Sequence, residues 1–284
     1  MKTIAVIGAT GYLGQHVCQS LTEQGYQVRY LVRSPSKLLE KGVSASAIRQ
    51  VDPTQPDTLE NELFNVDCVI SCLGITKQQD GLNYMDVDFR ANANVLDEAL
   101  RAGVKKFIYV SVFRGQEFTQ VRMCKAKERF VEYLSLSRIE SCIVRPTGFF
   151  SDMKEYWSMA KQGRSFIFGK GLHKLNPIHG RDLADEIVNL IDKDIKELNI
   201  GGPQALSHQD ISALAFESLQ SKNRTIAIPD WCRRAMLWFG SQFLDEAKFG
   251  ALEFFLTLSN VDMVAPKYGK HTLKQHFEAL SQQR

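Results

Sequence analysis

Short apolar, β-branched blocks recur along the chain, and the segments between them space their apolar residues for a helix. The first block, Thr3 to Ile7, is unbroken and ends on Gly8, the pattern of a strand buried on both faces. Gln15 to Gln24 then reads as a helix, Gln27 to Val32 as a second strand, and Arg33-Ser34-Pro35-Ser36-Lys37 as a polar loop. Ala47 to Val51 predicts a third short strand ahead of Asp52-Pro53, and Asp57 to Phe64 the helix after it. Cys68 to Gly74 is another strand of the buried kind, closing on a glycine. In Asp86 to Ala102, Val87, Ala91, Val95, Leu96 and Ala99 share one helical face, and Gly103 is a suitable stop. Lys106 to Ser111, a helix over Arg122 to Leu136, and Ser141 to Arg145 before Pro146 continue the alternation. Such alternation predicts an α/β fold, a doubly wound parallel sheet covered by helices on both faces.

Past Pro146 the alternation loosens. Phe149 to Gln162 has helical character, Ser165 to Phe168 that of a short strand, and Leu183 to Ile191 that of a helix with acidic residues near its start. Leu198 to Ile200 predicts a strand, and Ser207 with Asp210 a capping-box start for a helix over Ile211 to Leu219. An aromatic-rich helical region follows from Trp231 to Phe255, and a last helix from Thr272 to Ala279.

Candidate chemistry begins where the first strand meets the first helix. Gly8, Gly11 and Gly14, with Ala9, Thr10, Tyr12 and Leu13 between them, form a tight turn running into a helix N-terminus. Unpaired N–H groups and the positive end of the helix dipole favour a pyrophosphate there. In a doubly wound sheet, ligands lie beyond the C-terminal strand ends. Arg33, Asp52, Ser71-Cys72-Leu73-Gly74, Ser111 and Arg145-Pro146-Thr147-Gly148 all fall at such ends. An NAD site normally carries an acidic residue after its second strand. Here stand Arg33 and, one turn on, Lys37, cations that suit a 2′-phosphate, so NADP(H) is expected over NAD(H). Asp52 either faces the adenine edge or serves as a turn residue before Pro53.

Composition narrows the field. The 284 residues carry a net charge of +3 with no basic block, which argues against nucleic acid as a partner. No apolar run reaches membrane-spanning length, and a chain that opens directly on a strand leaves no room for a signal peptide. The six cysteines lack Cys-x-x-Cys or zinc-like spacing, so thiols in a reducing cytoplasm are expected and no metal.

Gly8-x-x-Gly11-x-x-Gly14, Val32-Arg33, Tyr109-Val110-Ser111, Ala126-Lys127-Glu128 and Val144-Arg145-Pro146-Thr147 together resemble the atypical short-chain dehydrogenase/reductases, in their NmrA-like and isoflavone-reductase-like branch. Arg145 to Phe150, Phe168-Gly169, Pro177-Ile178 and Asp182-Leu183-Ala184 look most like the divinyl chlorophyllide 8-vinyl reductases of that branch. The resemblance covers roughly residues 1 to 220 and implies a Rossmann-type sheet with NADP(H) along its strand ends. It implies residues 1–200 as the nucleotide-binding domain, with a lid insertion at about 149–175, and 201–284 as a smaller substrate lid packed on it as one globular unit.

The superfamily's usual apparatus is a Tyr-x-x-x-Lys pair with a serine on the preceding strand. Ser111 matches the serine and Lys127 best matches the lysine, but four residues earlier stands Met123. If Lys125 is the match, the position holds Val121. Neither Met nor Val transfers a proton, and members of the isoflavone-reductase-like branch likewise lack the tyrosine and rely on the lysine. Lys127 is therefore expected at the nicotinamide ribose, Ser111 beside it, and His179 in a structural role.

The aromatic residues Phe149, Phe150, Tyr156, Trp157, Phe166 and Phe168, then Trp231, Trp238, Phe239 and Phe243, are expected mostly in the core, the remainder lining an apolar pocket. Trp231 to Leu244, with Arg233-Arg234, has membrane-surface or partner contact as its alternative. The resulting expectation is an NADPH-dependent reductase of a small, largely apolar molecule. A catalytically silent NADP(H)-binding regulator or assembly factor is the alternative, and a sugar-nucleotide epimerase or dehydratase the third reading.

Overall fold

Chain order in the computed structural model, which describes residues 1–75 and 81–282, runs β1 (Thr3–Ile7), α1 (Tyr12–Glu23), β2 (Gln27–Val32), α2 (Ser36–Glu40), β3 (Ile48–Gln50), β4 (Cys68–Ser71), α3 (Asn92–Arg101), β5 (Lys106–Val110), α4 (Arg122–Leu136) and β6 (Glu140–Pro146). It continues with α5 (Phe150–Lys161), β7 (Ser165–Phe168), β8 (Lys174–Leu175), α6 (Gly180–Asn189), β9 (Glu197–Ile200), β10 (Leu206–Ser207), α7 (His208–Ser218), β11 (Thr225–Ile228), α8 (Asp230–Phe243), α9 (Glu246–Leu258) and α10 (Leu273–Gln282). The residues divide into two units, Met1–Arg145 with Leu183–Leu198, and Pro146–Asp182 with Asn199–Arg284.

The main sheet has the order β3-β2-β1-β4-β5-β6-β9, so the direction of winding reverses between β1 and β4. The pairings from β3 to β6 are parallel, as the strand–helix alternation requires. In this register Ile7 lies opposite Leu31 and Ser71, Ser71 opposite Tyr109, and Tyr109 opposite Ile143. Gly8, Cys72 and Ser111, the first residues after β1, β4 and β5, therefore lie along one margin of the sheet, the C-terminal edge where a doubly wound fold binds its ligand. Every residue of β1, β4 and β5 is buried, which accounts for their apolar character apart from Thr3, Ser71 and Lys106 at the strand ends. Ala5, Ile7, Leu31, Val69, Phe107, Tyr109 and Ile143 supply one face of the core, packed with Val95, Leu96 and Ala99 of α3 and Phe130 and Leu134 of α4.

Two local expectations fail. Asp57 to Phe64 is not an α-helix: a 3₁₀ turn over Pro56–Leu59 ends in turns in which Asn61 (φ 65°) and Asn65 (φ 57°) are left-handed. Asparagine tolerates that region and lets the chain drop back to β4. The loop after β2 also partly folds, because Leu38 buries itself and draws Ser36–Glu40 into α2. The predicted helix over Asp86 to Ala102 forms in two parts, a π-helical stretch Met85–Ala91 leading into α3. Gly103 follows at φ 72°, the left-handed position that ends the helix.

In the second unit, Phe150, Met153, Tyr156, Trp157 and Ala160 of α5 pack with Ile211, Ala215 and Phe216 of α7 and Leu273 and Phe277 of α10. Ser207 and Asp210 form the expected capping box at the start of α7. The long aromatic helical region divides into α8 and α9. The aromatic residues of α8 are not core: Trp231, Trp238, Phe239 and Phe243 are exposed, at 69%, 64%, 53% and 64%. The cause is geometric. α8 buries a narrow stripe through Arg233 and Gly240, where Phe249 of α9 sits so close that a Cβ on Gly240 would come within 2.0 Å of its ring. The aromatic residues fall on the other faces of α8.

Candidate cofactor and active site

The glycine turn is built by close approach of three backbones. Gly8 is left-handed (φ 78°), and a Cβ there would lie 2.8 Å from the Cys72 carbonyl oxygen. A Cβ on Gly14 would lie 2.1 Å from the carbonyl oxygen of Gly8. Gly11 donates its N–H to that same oxygen at 3.0 Å and opens α1 as its N-cap residue. α1 has no side-chain cap and no acidic residue in its first turn, so nothing in its own sequence neutralises the positive end of its dipole. Ala9 and Leu13 are buried and hold the turn down, Thr10 is exposed, and Tyr12 stands edge-on to His16 at 5.2 Å. A turn that admits no Cβ, at an uncapped helix end on the switch in strand order, fits a dinucleotide diphosphate.

Arg33 and Asp52 come together. With Gln50, Val51 and Thr58 they line a surface cavity of about 340 Å³. Asp52 serves its turn, its Oδ1 accepting from Thr54 N (3.0 Å) and Thr54 Oγ1 (2.7 Å). Lys37 is exposed in α2.

Lys127 lies inward on α4, its side chain 13% exposed, whereas Lys125 is exposed. Its Nζ lies 2.9 Å from Oδ1 of Asp88, which is fully buried, and 5.6 Å from the centre of the Tyr109 ring. Burial works against the ammonium, but the Asp88 carboxylate and Tyr109 outweigh it and raise the lysine pKa. Burial also pushes the Tyr109 phenol up, with Lys127 pulling the other way, and keeps that hydroxyl protonated. Gly74 lies against the ion pair: a Cβ on it would be 2.7 Å from Asp88 Oδ1 and 2.9 Å from Lys127 Nζ. Cys72 and Leu73 before it are half-buried, and burial lifts the Cys72 thiol to about 12, with Lys127 drawing it back.

Ser111 belongs to a second buried network. Its hydroxyl donates to Glu128 Oε1 at 3.1 Å, and Arg145 grips that carboxylate at 2.6 and 3.0 Å while also meeting Glu197 at 2.9 Å. Met123 and Val121 are both buried. Pro146 and Thr147 fall in the second unit, where Thr147 Oγ1 donates to the Asn176 carbonyl at 2.6 Å. His179, also there, stacks on His271 at 4.4 Å and accepts the Arg181 N–H at 3.1 Å.

Sequence reasoning missed Asp88, Tyr109 and Glu128. Asp88 carried a readable signal, since a carboxylate beside Val87, Ala91 and Val95 on a helical face marks a polar group driven into the core. Glu128 carried none, because within Lys127-Glu128-Arg129 it looks like a solvated charge run.

The profile of the NAD(P)H-binding family matches residues 8–194. The chain belongs to that family, and its motifs resemble the atypical short-chain dehydrogenase/reductase, NmrA-like group. The divinyl chlorophyllide a 8-vinyl-reductase of Zea mays is 28% identical over 316 residues, covering 97% of this chain and 78% of that protein. The photosystem II assembly factor Ycf39 of Guillardia theta is 26% identical over 183 residues, covering 64% of this chain and 58% of that one. The NADPH-dependent quinone oxidoreductase of Escherichia coli, solved with NADPH, superposes with a TM-score of 0.73 at 19% identity, covering 98% of this chain and 99% of that one, a likeness of fold. Among the described residues no helix is long and apolar enough to cross a membrane, and no group of His, Cys, Asp or Glu side chains is arranged to hold a metal ion.

Proposed function

We propose that the chain is an NADPH-dependent reductase of a small, largely apolar molecule. The observation that carries the reading is the inward Lys127 ammonium, 2.9 Å from Asp88 and against Gly74, on the same sheet edge as the glycine turn. The amides at the head of α1 hold the diphosphate, and Arg33 with Lys37 holds the 2′-phosphate. NADPH supplies the hydride. Lys127 holds a ribose hydroxyl and gives a proton, or its positive charge alone, to the substrate atom that becomes negative. Ser111, its hydrogen engaged by Glu128, turns its lone pairs to the site as an acceptor. Within the second unit, Phe149 and Phe168 are only half-buried and Phe166 is exposed, surfaces that suit a flat apolar guest. Cysteines that form no disulfide among the described residues accord with a reducing compartment such as the cytoplasm.

Calorimetric titration with NADPH and NADH, followed by NADPH oxidation with a panel of enones and conjugated alkenes, tests this reading. Preferential NADPH binding with turnover of one panel member supports it, and indifference to both nucleotides ends it. A second reading, a nucleotide-binding regulator or assembly factor, is favoured by one feature, the absence of a phenol four residues before either lysine. Tight NADPH binding without turnover, and partner capture that depends on the NADP redox state, would select it.

A further inference from the structure

The π-helical stretch before α3 has an unusual content: a carboxylate with no exposed surface, tied to the end of the neighbouring strand. Asn92 fixes its backbone, the amide donating to the carbonyls of Asp88 (3.1 Å), Val87 (3.2 Å) and Leu73 (3.4 Å) while its oxygen accepts from Ser71 Oγ at 2.5 Å. The other Asp88 oxygen, Oδ2, accepts the Ile75 N–H at 3.3 Å. Asp88 is thus fastened from both sides, with Oδ1 aimed at Lys127.

We propose that Asp88 is a positioning residue that pins the Lys127 ammonium against Gly74, so that the site presents a fixed cation and not an amine base. The inference rests on the reading of Lys127 as the residue that meets the nucleotide and substrate. A buried carboxylate alone takes up a proton and a buried amine alone loses one; face to face, Asp88 holds the lysine pKa up, while Lys127 draws the Asp88 pKa back down against the burial that raises it. The other titratable groups facing Lys127 are the Tyr109 phenol of β5 and the thiols of Cys72 and Cys124. All three are neutral when protonated, so Asp88 is the sole carboxylate countering the lysine among these neighbours. Tyr109 Oη and Asp88 Oδ1 are both buried without a partner in hydrogen-bond geometry among the described residues, so what Asp88 gives Lys127 at 2.9 Å is its charge, which a neutral phenol does not supply. Glu128, next on the helix, is engaged by Arg145 and Ser111. Gly74 completes the device, because any Cβ there would push into both charged groups.

Asp88→Asn keeps the shape and removes the charge. In the wild type, NADPH affinity stays level on raising the pH from about 7 to about 9, above the titration of the 2′-phosphate, since the paired lysine keeps its proton across that window. In Asp88→Asn the affinity matches the wild type at the acid end and falls at least roughly tenfold toward the alkaline end as the unpaired amine deprotonates. Recovery at low pH separates loss of charge from loss of fold. Adding Lys127→Met to Asp88→Asn abolishes the alkaline loss. An Asp88→Asn variant whose affinity is as level as that of the wild type overturns the proposal. A second readout needs neither nucleotide nor the variant: ¹³C NMR of the lysine ε-carbons, with Lys127 assigned by Lys127→Arg. Lys127 is expected to titrate above the surface lysines, and a Lys127 signal that titrates with them overturns the proposal even if no dinucleotide binds. Failure of NADPH to bind the wild type, with the NMR result as expected, removes the reductase reading alone.

Discussion

Ser111 donates a hydrogen bond from its hydroxyl to Glu128 at 3.1 Å, and the carboxylate that accepts it is the one Arg145 grips with two bonds. The serine expected beside the nicotinamide is therefore anchored to a buried ion pair. Arg145 is 3% exposed, and its other carboxylate partner, Glu197, is partly in water. Glu128→Ala would leave that guanidinium short of its buried counter-charge and should cost about 3–5 kcal/mol of unfolding free energy. Ser111→Ala should cost only about 1 kcal/mol. Urea denaturation of both variants checks the contrast, and equal losses would mean that Glu128 is not the centre of the network.

Arg33 shares its cavity with Asp52, Gln50, Val51 and Thr58. Arg33→Asp replaces a cation suited to a 2′-phosphate with an anion that accepts from a ribose hydroxyl. NADPH affinity should fall roughly 10- to 100-fold, as loss of charge-assisted hydrogen bonds implies, with NADH affinity unchanged or improved. Paired calorimetric titrations decide it. Unchanged preference in the variant would assign the arginine to the surface.

Gly14→Ala would force a Cβ to within 2.1 Å of the Gly8 carbonyl oxygen. The turn and the head of α1 must part to admit it, so a stability loss above about 2 kcal/mol is expected, together with loss of dinucleotide binding. Thermal unfolding with and without NADPH measures both. A variant that binds NADPH normally would show that the turn has slack where the structure shows contact.

His208 makes stability pH-dependent. Burial, followed by repulsion from His173, holds its pKa down at about 4, and Tyr156 sets its hydroxyl 2.6 Å from Nδ1. Between that value and the ordinary histidine pKa the unfolded chain binds the proton and the folded chain does not, so stability rises with pH. The contribution is complete above about pH 6.5, is lost as the pH falls toward about 4, and amounts to on the order of 3 kcal/mol. His208→Phe should flatten this part of the stability profile while costing about 1 kcal/mol at neutral pH through the lost Tyr156 bond. Denaturation midpoints at several acid pH values, compared between wild type and variant, test it; parallel profiles would refute it.

The strands of the first unit were readable because a strand buried on both faces has no choice of residue, and β1, β4 and β5 are buried throughout. The glycine turn was readable for a related reason, since backbone contacts at Gly8 and Gly14 leave no room for a side chain and so fix the residue type. Helix ends were fixed where a local device sets them, as Gly103 does after α3 and Ser207 before α7. Tertiary structure alone decided which charges point inward. Lys125 and Lys127 stand in the same helical charge run, and only the packing of α4 beside the π-helical stretch brings Lys127 to Asp88, 39 positions earlier, while Lys125 stays in water. The same holds for α8, whose aromatic residues suit a core by composition yet lie outside because its buried stripe runs through Arg233 and Gly240. Local periodicity specifies an element and its apolar face, whereas a charge pair depends on two distant segments whose approach is set by everything packed between them.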